Sequence, residues 1–273
     1  IVKPDTPIQT APGTMTIGGW TISDSHPHGV LTVQEVIQKS SNVGTLMLAQ
    51  RVGPERYYDM LGKFGLGQRT MVGLPGESAG LVPPIDQWSG STFSNLPIGQ
   101  GLSMTLLQMT GMYQAIANDG VRIPPRIIKS TIAADGSRVD EPRPNGIRVV
   151  SPETARTVRG MLRAVVQHDP MGYQQGTGPA AAVEGYQIAG KTGTAQQINP
   201  ACGCYYSDVY WITFAGMAPA DDPRYVIGIM MDNPQRNADG SAGHSAAPLF
   251  HTIAAWLLQR ENVPLSADPG PPL

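Results

Sequence analysis

A short stretch in the second half of the chain, residues 185–196, constrains the fold more than any other. It reads GYQIAGKTGTAQ, and its part up to Thr192 matches the phosphate-binding loop pattern G-x-x-x-x-G-K-[ST]. That loop requires a hydrophobic strand before it and a helix beginning at its Lys-Thr pair. Residues 176–184 contain no β-branched run, and Gly193 would lie in the first turn of the helix, where glycine is unfavourable. These flanking residues therefore disfavour a nucleotide-binding loop, which tight ATP binding that depends on Lys191 would restore as an alternative.

The same stretch alternates its side chains as a strand does. Aromatic and β-branched residues occupy positions 186, 188, 192 and 194. A strand here would carry Lys191-Thr192-Gly193, the K-T-G element of serine enzymes that open D-alanyl amides and β-lactams. Glycine within a strand often marks the close approach of another molecule, which we expect at Gly190 and Gly193. An ordinary edge strand with a chance K-T-G sequence remains an alternative for this segment alone.

Composition narrows the functional classes. The net charge is −2 and the sequence pI is about 6.2, so the chain lacks the electrostatic footprint of a nucleic-acid or anionic-membrane binder. It contains no apolar run of about 18 residues, and we expect no membrane span within it. Its two cysteines, Cys202 and Cys204, have no Cys or His neighbours, so we expect neither a metal site nor a cofactor. An incidental pair and a disulfide between them both remain open.

The order of the predicted elements indicates an α+β enzyme. Helical patterns dominate the first part of the chain and strands follow the K-T-G segment, so we expect an antiparallel sheet flanked by helices. Residues 1–30, rich in Pro, Gly and Thr, are expected to be irregular. We predict helices from Thr32 to about Ser40, from Val43 to just before Gly53, over 55–64, from Ser103 to about Asn118, from Ser151 to about Val166 and from Ala246 to about Gln259, and strands over 208–216 and 224–231.

Residues 76–80, Gly-Glu-Ser-Ala-Gly, match the nucleophile elbow G-x-S-x-G. An elbow needs a hydrophobic strand before it and a helix after it. Here Leu74-Pro75 precedes the match and Pro83-Pro84 follows closely, so neither element can form. We reject the elbow and expect Ser78 to lie in a turn.

A K-T-G enzyme needs a second polar element, which Ser40-Ser41-Asn42 can supply as S-x-N. A hydroxyl and a carboxamide two residues apart at a helix end can both project into a cleft. Ser and Asn are also common at helix ends, so the tripeptide alone favours a merely polar terminus. The later K-T-G strand, followed by two strands and an amphipathic helix, favours the catalytic interpretation.

In this arrangement the chain resembles the class B penicillin-binding proteins, in particular their septal, division-specific members. The resemblance covers nearly the whole chain and depends on six ordered blocks that are weak singly and specific together. These blocks are residues 39–44 (KSSNVG), 73–80 (GLPGESAG), 98–101 (IGQG), 118–120 (NDG), 191–196 (KTGTAQ) and 246–250 (AAPLF).

The resemblance implies a serine-type D-Ala-D-Ala transpeptidase that cross-links peptidoglycan stem peptides and is acylated by β-lactam antibiotics. Ser40 would relay a proton to the leaving nitrogen, and Asn42 would hold the substrate's amide. Lys191 would face Ser40 across the cleft. The remaining substrate-binding residues would be Thr192, Gly193 and Thr194.

The chain departs from the family pattern in two respects. The family's nucleophile lies in an S-x-x-K element upstream of S-x-N, and no serine of this chain is followed three residues later by lysine. We therefore expect residues 1–273 to be a partial transpeptidase domain that begins after the nucleophile. Family members often carry an aromatic pair before Ala-Ala-Pro, whereas residues 237–245 contain no Phe, Tyr or Trp, so an aromatic wall is not carried over.

The resemblance also implies a location on the extracytoplasmic face of the bacterial cell membrane, with an N-terminal transmembrane anchor absent from this chain. A membrane glycosyltransferase and division-complex proteins would be its partners. Two alternatives remain: a catalytically silent β-lactam-sensing or division-scaffold domain, and a D,D-carboxypeptidase or β-lactamase of the same fold.

Overall fold

A computed structural model describes residues 2–17, 19–169, 171, 174–234 and 241–268. Short paired strands come first, helices follow, and a three-stranded antiparallel sheet with a last helix completes the chain. The predicted α+β class, an antiparallel sheet flanked by helices, is confirmed. The strands are β1 (Pro7–Gln9), β2 (Thr14–Ile17), β3 (Trp20–Ser23), β4 (Val30–Thr32), β5 (Val121–Arg122), β6 (Ser130–Ile132), β7 (Arg138–Asp140), β8 (Ile147–Arg148), β9 (Ala189–Asn199), β10 (Cys204–Ala218) and β11 (Tyr225–Asp232), and the helices are α1 (Val33–Gln38), α2 (Asn42–Val52), α3 (Pro54–Lys63), α4 (Thr92–Asn95), α5 (Leu106–Ala117), α6 (Pro152–Val166) and α7 (Ala246–Arg260).

The main sheet has the order β11-β10-β9, with β10 antiparallel to both neighbours. The register pairs Trp211 with Asp232 on one side of β10 and with Ala195 on the other. The strands predicted over 208–216 and 224–231 are thereby confirmed, as is the strand that carries K-T-G. Within the part of the chain that the structure describes, no further strand pairs with the outer edge of β9.

Helices cover both faces of this sheet. On one face Phe214 of β10 and Phe250 of α7 are completely buried, with ring centroids 4.8 Å apart. Successive strand residues point to opposite faces, so the neighbours of Phe214 face α5 and α6. Gly228 of β11 lies against α5, where an added Cβ would come within 2.4 Å of Thr110 Oγ1. The sheet is therefore packed closely against α7 on one face and against α5 and α6 on the other.

Capping residues set the helix boundaries. Thr32 and Glu35 form the predicted capping box of α1, and Ser151 caps α6 before Pro152. The helix predicted from Ser103 begins instead at Leu106. The reason is a second capping box, in which Thr105 Oγ1 accepts from the Gln108 N–H while the Gln108 side chain accepts from the Thr105 N–H.

Residues 1–30 were wrongly expected to be irregular, because β1 pairs with β4 and β2 pairs with β3. Strands this short carry too few alternating positions to show a period. The apolar residues of α7 pack on the core only in part. Ala254 is buried, and Ile253 and Leu257 are partly buried against the core. Trp256 and Leu249 are 54% and 40% exposed, and the buried stripe consists of Ala246, Ala247, Phe250, Ala254 and Leu258, where small alanines allow close packing.

Both disfavoured motifs lie in the conformations that we expected. Residues 71–80 form neither helix nor strand, and Ser78 Oγ accepts a hydrogen bond from the Gly80 N–H at 3.0 Å, as in a turn. After Thr192 the chain continues as strand β9 rather than as a helix. Neither a nucleophile elbow nor a phosphate loop is therefore present.

A disulfide joins Cys202, in the turn after β9, to Cys204, the first residue of β10, which decides between the two alternatives left open for them. Across the described ranges, no helix combines the length and apolarity needed to cross a bilayer. The same ranges contain no group of three His, Cys, Asp or Glu side chains that could hold a metal ion.

Candidate active site

Ser40 and Lys191 are in direct contact. Lys191 Nζ donates a hydrogen bond to Ser40 Oγ at 2.9 Å, although 151 positions separate the two residues in the chain. Ser40 lies in the link between α1 and α2, and Lys191 lies on β9. The S-x-N and K-T-G elements therefore meet in space as the sequence analysis expected.

Ser40 has a left-handed backbone conformation, with φ at 56°. Its N–H donates to the carbonyl of Ile37 at 3.2 Å, and the Ser41 N–H donates to the carbonyl of Val36 at 3.0 Å. These two bonds define the Schellman motif, whose left-handed position is usually glycine. A side chain at that position is unfavourable, and strain of this kind is concentrated at functional sites. Glycine would adopt this conformation without strain, but it would lack the hydroxyl that accepts the hydrogen bond from Lys191.

The start of α2 fixes the residues after Ser40. Ser41, only 2% exposed, is the N-cap residue, and its Oγ accepts from the Gly44 N–H at 2.9 Å. A Cβ on Gly44 would lie 2.5 Å from Val36 Cγ2, so glycine allows α2 to begin directly against α1. Asn42 Nδ2 donates to the carbonyl of Ser23 at 2.9 Å. The structure thus joins Ser40 to Lys191 but gives Asn42 a different partner.

Lys191 is surrounded by neutral acceptors. Besides Ser40, its Nζ donates to the carbonyl of Thr192 at 3.1 Å and approaches Thr192 Oγ1 at 3.5 Å. Among the described residues no carboxylate forms an ion pair with it. Burial without a compensating negative charge lowers the pKa of Lys191 to about 8. Amines tuned in this way are typical of functional sites.

Thr192 and Thr194 lie on the face of β9 that points away from Lys191. Thr192 pairs with Phe214, and its Oγ1 is 2.7 Å from Thr177 Oγ1 in a hydroxyl-hydroxyl hydrogen bond. Thr194 pairs with Ile212 and is exposed. β9 is an outer strand of the main sheet, and the long side chain of Lys191 brings its ammonium to 3.5 Å from the Thr192 hydroxyl despite the opposite faces.

The two glycines of this segment contact the neighbouring strand. A Cβ on Gly193 would lie 2.3 Å from Thr213 Oγ1, and one on Gly190 would lie 2.6 Å from Phe214 Cζ. The space beside each glycine is thus filled by β10, and the expected approach of another molecule to this strand stays a prediction. Gly193 shapes the strand beneath the site.

The sequence analysis missed three residues that contact the site elements. Thr177 bonds to Thr192, and Asp24 accepts hydrogen bonds from the first residues of α2. Gly44 allows the contact between α1 and α2. Asp24 and Thr177 lie outside any periodic element, so only the fold reveals them. Residues 237–240, part of the stretch compared with the family's aromatic pair, lie outside the described residues.

Comparison with known proteins identifies the family. A family model of the penicillin-binding protein transpeptidase domain matches residues 1–255. The chain belongs to this family. Penicillin-binding protein PbpB of Mycobacterium tuberculosis is 78% identical over 273 residues, which cover 99% of this chain and 40% of that protein. Stage V sporulation protein D of Bacillus subtilis is 35% identical, over 83% of this chain and 34% of that protein.

Solved transpeptidase structures agree with the fold. The crystal structure of penicillin-binding protein 3 from Mycobacterium tuberculosis complexed with ampicillin matches with a TM-score of 0.93 and 78% identity, covering 100% of this chain and 60% of that one. The apo transpeptidase domain of penicillin-binding protein 3 from Burkholderia pseudomallei matches with a TM-score of 0.84 and 38% identity, covering 98% of this chain and 76% of that one. The predicted family and fold are therefore confirmed, and the chain spans about 40% of the first curated relatives' length.

Proposed function

We propose that this chain contributes the S-x-N and K-T-G parts of the active site of a D,D-transpeptidase in septal cell-wall synthesis. The observation that carries the proposal is the hydrogen bond from Lys191 Nζ to Ser40 Oγ, which unites the two elements. In the reaction a serine attacks the penultimate D-Ala carbonyl of a peptidoglycan stem peptide and D-Ala leaves. The amine of a second stem peptide then takes the acyl group and releases the serine. β-Lactams acylate the same serine.

The nucleophile and its base come from an S-x-x-K element outside residues 1–273, since these residues contain none. A serine hydroxyl is a weak nucleophile until a neighbouring base accepts its proton. In this proposal the lysine of that element is the base. The residues described here therefore bind the substrate and complete the proton transfer rather than attack.

Ser40 is suited to relay a proton to the leaving nitrogen. Its Oγ accepts a hydrogen bond from Lys191, so its own O–H remains available as a donor. Ser40 is exposed, which leaves room for a substrate beside it. The ammonium of Lys191 orients the hydroxyl and attracts the terminal carboxylate of the substrate. Lys191 acts in its protonated form.

The open edge of β9 supports substrate binding. An extended stem peptide can pair with an exposed strand edge through main-chain hydrogen bonds. When Thr177 donates to Thr192, the Thr192 hydroxyl can donate to the substrate carboxylate, aided by the exposed Thr194 hydroxyl. We assign one oxyanion donor to the Thr194 N–H, and the loss of such a donor typically lowers the rate about 100- to 1,000-fold. Asn42 would exchange the Ser23 carbonyl for the substrate amide.

We place the protein on the extracytoplasmic face of the cell membrane, anchored by a segment outside this chain, with a membrane glycosyltransferase and division proteins as partners. The Cys202–Cys204 disulfide supports an oxidising compartment. The names of the relatives support the septal role, since stage V sporulation protein D and penicillin-binding protein 3 match over most of this chain. Crystal complexes of the latter with ampicillin and aztreonam support β-lactams as ligands.

Fluorescent penicillin labelling tests the proposal. We expect a stable label on the complete natural protein, none on residues 1–273 alone, and strongly slowed labelling when Lys191 is replaced by alanine. Equal labelling of both proteins would contradict the assignment. The lifetime of the label separates the enzyme classes: an ester that persists for hours supports a transpeptidase, whereas rapid hydrolysis would support a β-lactamase.

A further inference from the structure

Asp24 connects the N-terminal strands to the start of α2. Its Oδ2 accepts a hydrogen bond from Ser41 Oγ at 2.8 Å, and its Oδ1 accepts one from the Val43 N–H at 3.0 Å. Both donors follow Ser40 within three residues. One carboxylate therefore holds the capping side chain and a backbone N–H in the first turn of α2.

Asp24 is itself held in place. Its N–H donates to the carbonyl of Gly13 at 2.9 Å, and it directly follows β3, whose Ile22 is buried. The preceding residue, Ser23, accepts the hydrogen bond from Asn42. The β2–β3 hairpin thus presents two consecutive residues to the start of α2. Ser23 and Asp24 are therefore held in fixed positions against the start of α2, and we call this pair of residues the bracket.

Ser40 lies between this bracket and the end of α1. On the α1 side its conformation is fixed by the two Schellman hydrogen bonds. On the α2 side the next residue, Ser41, is tied to Asp24. An unfavourable left-handed conformation persists only where the surrounding structure over-determines it. Without Asp24, one of the two constraints on Ser40 is removed.

We propose that Asp24 is a positioning residue that holds the α2 side of Ser40 so that its hydroxyl stays within hydrogen-bond distance of Lys191. This inference depends on the proposed proton-relay role of Ser40. Asp24 does not touch the substrate, and its effect passes through Ser41 and the backbone of Ser40. Its loss therefore affects acylation only where Ser40 has its hydroxyl.

The test is a double-mutant cycle in the complete natural protein. The second-order rate constant of acylation by fluorescent penicillin is measured for the wild type, Asp24→Ala, Ser40→Ala and the double variant. We expect Asp24→Ala to slow acylation about tenfold or more in the wild-type background and less than about threefold in the Ser40→Ala background, because coupled residues are not additive. Asp24→Asn, which keeps the shape but only one acceptor oxygen, should lie between wild type and Asp24→Ala.

Thr105→Ala is the matched control, because it also removes a helix cap but its hydrogen bonds lie within α5. It should lower the melting temperature without a comparable loss of acylation. Equal losses from Asp24→Ala in both backgrounds, or no loss in either, would overturn the positioning role. If Ser40→Ala itself leaves acylation unchanged, the relay role of Ser40 fails, and this result is distinct from a failure of Asp24 alone.

Discussion

Lys191 donates its hydrogen bond to a serine that has a glycine-like backbone conformation. The bond from Nζ to Ser40 Oγ is 2.9 Å long, and the φ of Ser40 is 56°. The lysine is also unfavourable by itself, since burial lowers its pKa to about 8. Two residues that each oppose stability are thus kept in contact, which is expected of a site selected for chemistry.

Replacing Ser40 tests whether its strained conformation lowers stability while its hydroxyl supports acylation. Glycine has no Cβ and adopts the left-handed conformation freely, so Ser40→Gly should be about 1 kcal/mol more stable to unfolding than Ser40→Ala. Both variants lack the hydroxyl and should slow β-lactam acylation of the complete protein to a similar degree. Thermal or denaturant unfolding gives the first comparison, and penicillin labelling gives the second. A glycine variant less stable than the alanine variant would argue against strain at Ser40.

The pH dependence of acylation should reveal the charge of Lys191. Because Lys191 acts as an ammonium donor and its pKa lies at about 8, the second-order rate constant should fall as the pH rises through this value. Lys191→Arg keeps its charge to much higher pH, so the rate constant of any remaining acylation should not fall in this pH range. A decline at the same pH in the arginine variant would mean that another group causes it.

The same pKa predicts a change in stability with pH. The folded protein binds the Lys191 proton more weakly than the unfolded chain does, so this group makes folding more favourable as the pH rises from about 8 towards the ordinary lysine pKa of about 10.5. Lys191→Met should remove that contribution. Denaturant unfolding at several pH values should therefore show that the free energy of unfolding of the wild type rises relative to that of the variant between about pH 8 and pH 10.5. A constant difference would mean that Lys191 titrates as an ordinary exposed lysine.

Gly193 should be intolerant of a side chain for a reason that a second change can remove. Gly193→Ala brings its Cβ within 2.3 Å of Thr213 Oγ1, which should shift β9 and lower both stability and acylation. Thr213→Ala, which deletes that oxygen, should restore part of the loss in the double variant. Gly160→Ala is the control, because Gly160 lies on α6 with no atom near its missing Cβ and should gain up to about 1 kcal/mol. No recovery in the double variant would contradict the contact.

Glu77 should stabilise the loop formed by residues 70–77. Its carboxylate accepts hydrogen bonds from the backbone and hydroxyl of Thr70 and from the Met71 N–H, and these bonds lower its pKa. Glu77→Gln should therefore speed amide hydrogen exchange over residues 70–77. Asp135→Asn, a turn carboxylate on the β6–β7 hairpin, should leave that loop unchanged. Unchanged exchange in the Glu77 variant would remove the carboxylate from this role.

The sequence predicted most elements because their signals are local. The capping residues Thr32 and Ser151 and the alternation across Lys191 act over only a few neighbouring residues. The resemblance to the class B penicillin-binding proteins, which depends on six ordered blocks, implied that Lys191 faces Ser40. The contacts of Asp24 and Thr177 depend on residues 15 or more positions away, and no periodicity reports them. The exposure of Leu249 and Trp256 on α7 could not be predicted in this way, because it depends on how the helix packs against the sheet.

The most direct test of the account is whether Ser40 and Lys191 act as one unit in acylation. In the complete natural protein, we would measure the rate constant of penicillin acylation for Ser40→Ala, Lys191→Ala and the double variant. Each single change should slow acylation about 100-fold, and the double variant should be little slower than the worse single one, because each change already breaks the shared relay. Losses that multiply in the double variant, or a single variant that acylates at the wild-type rate, would contradict the account.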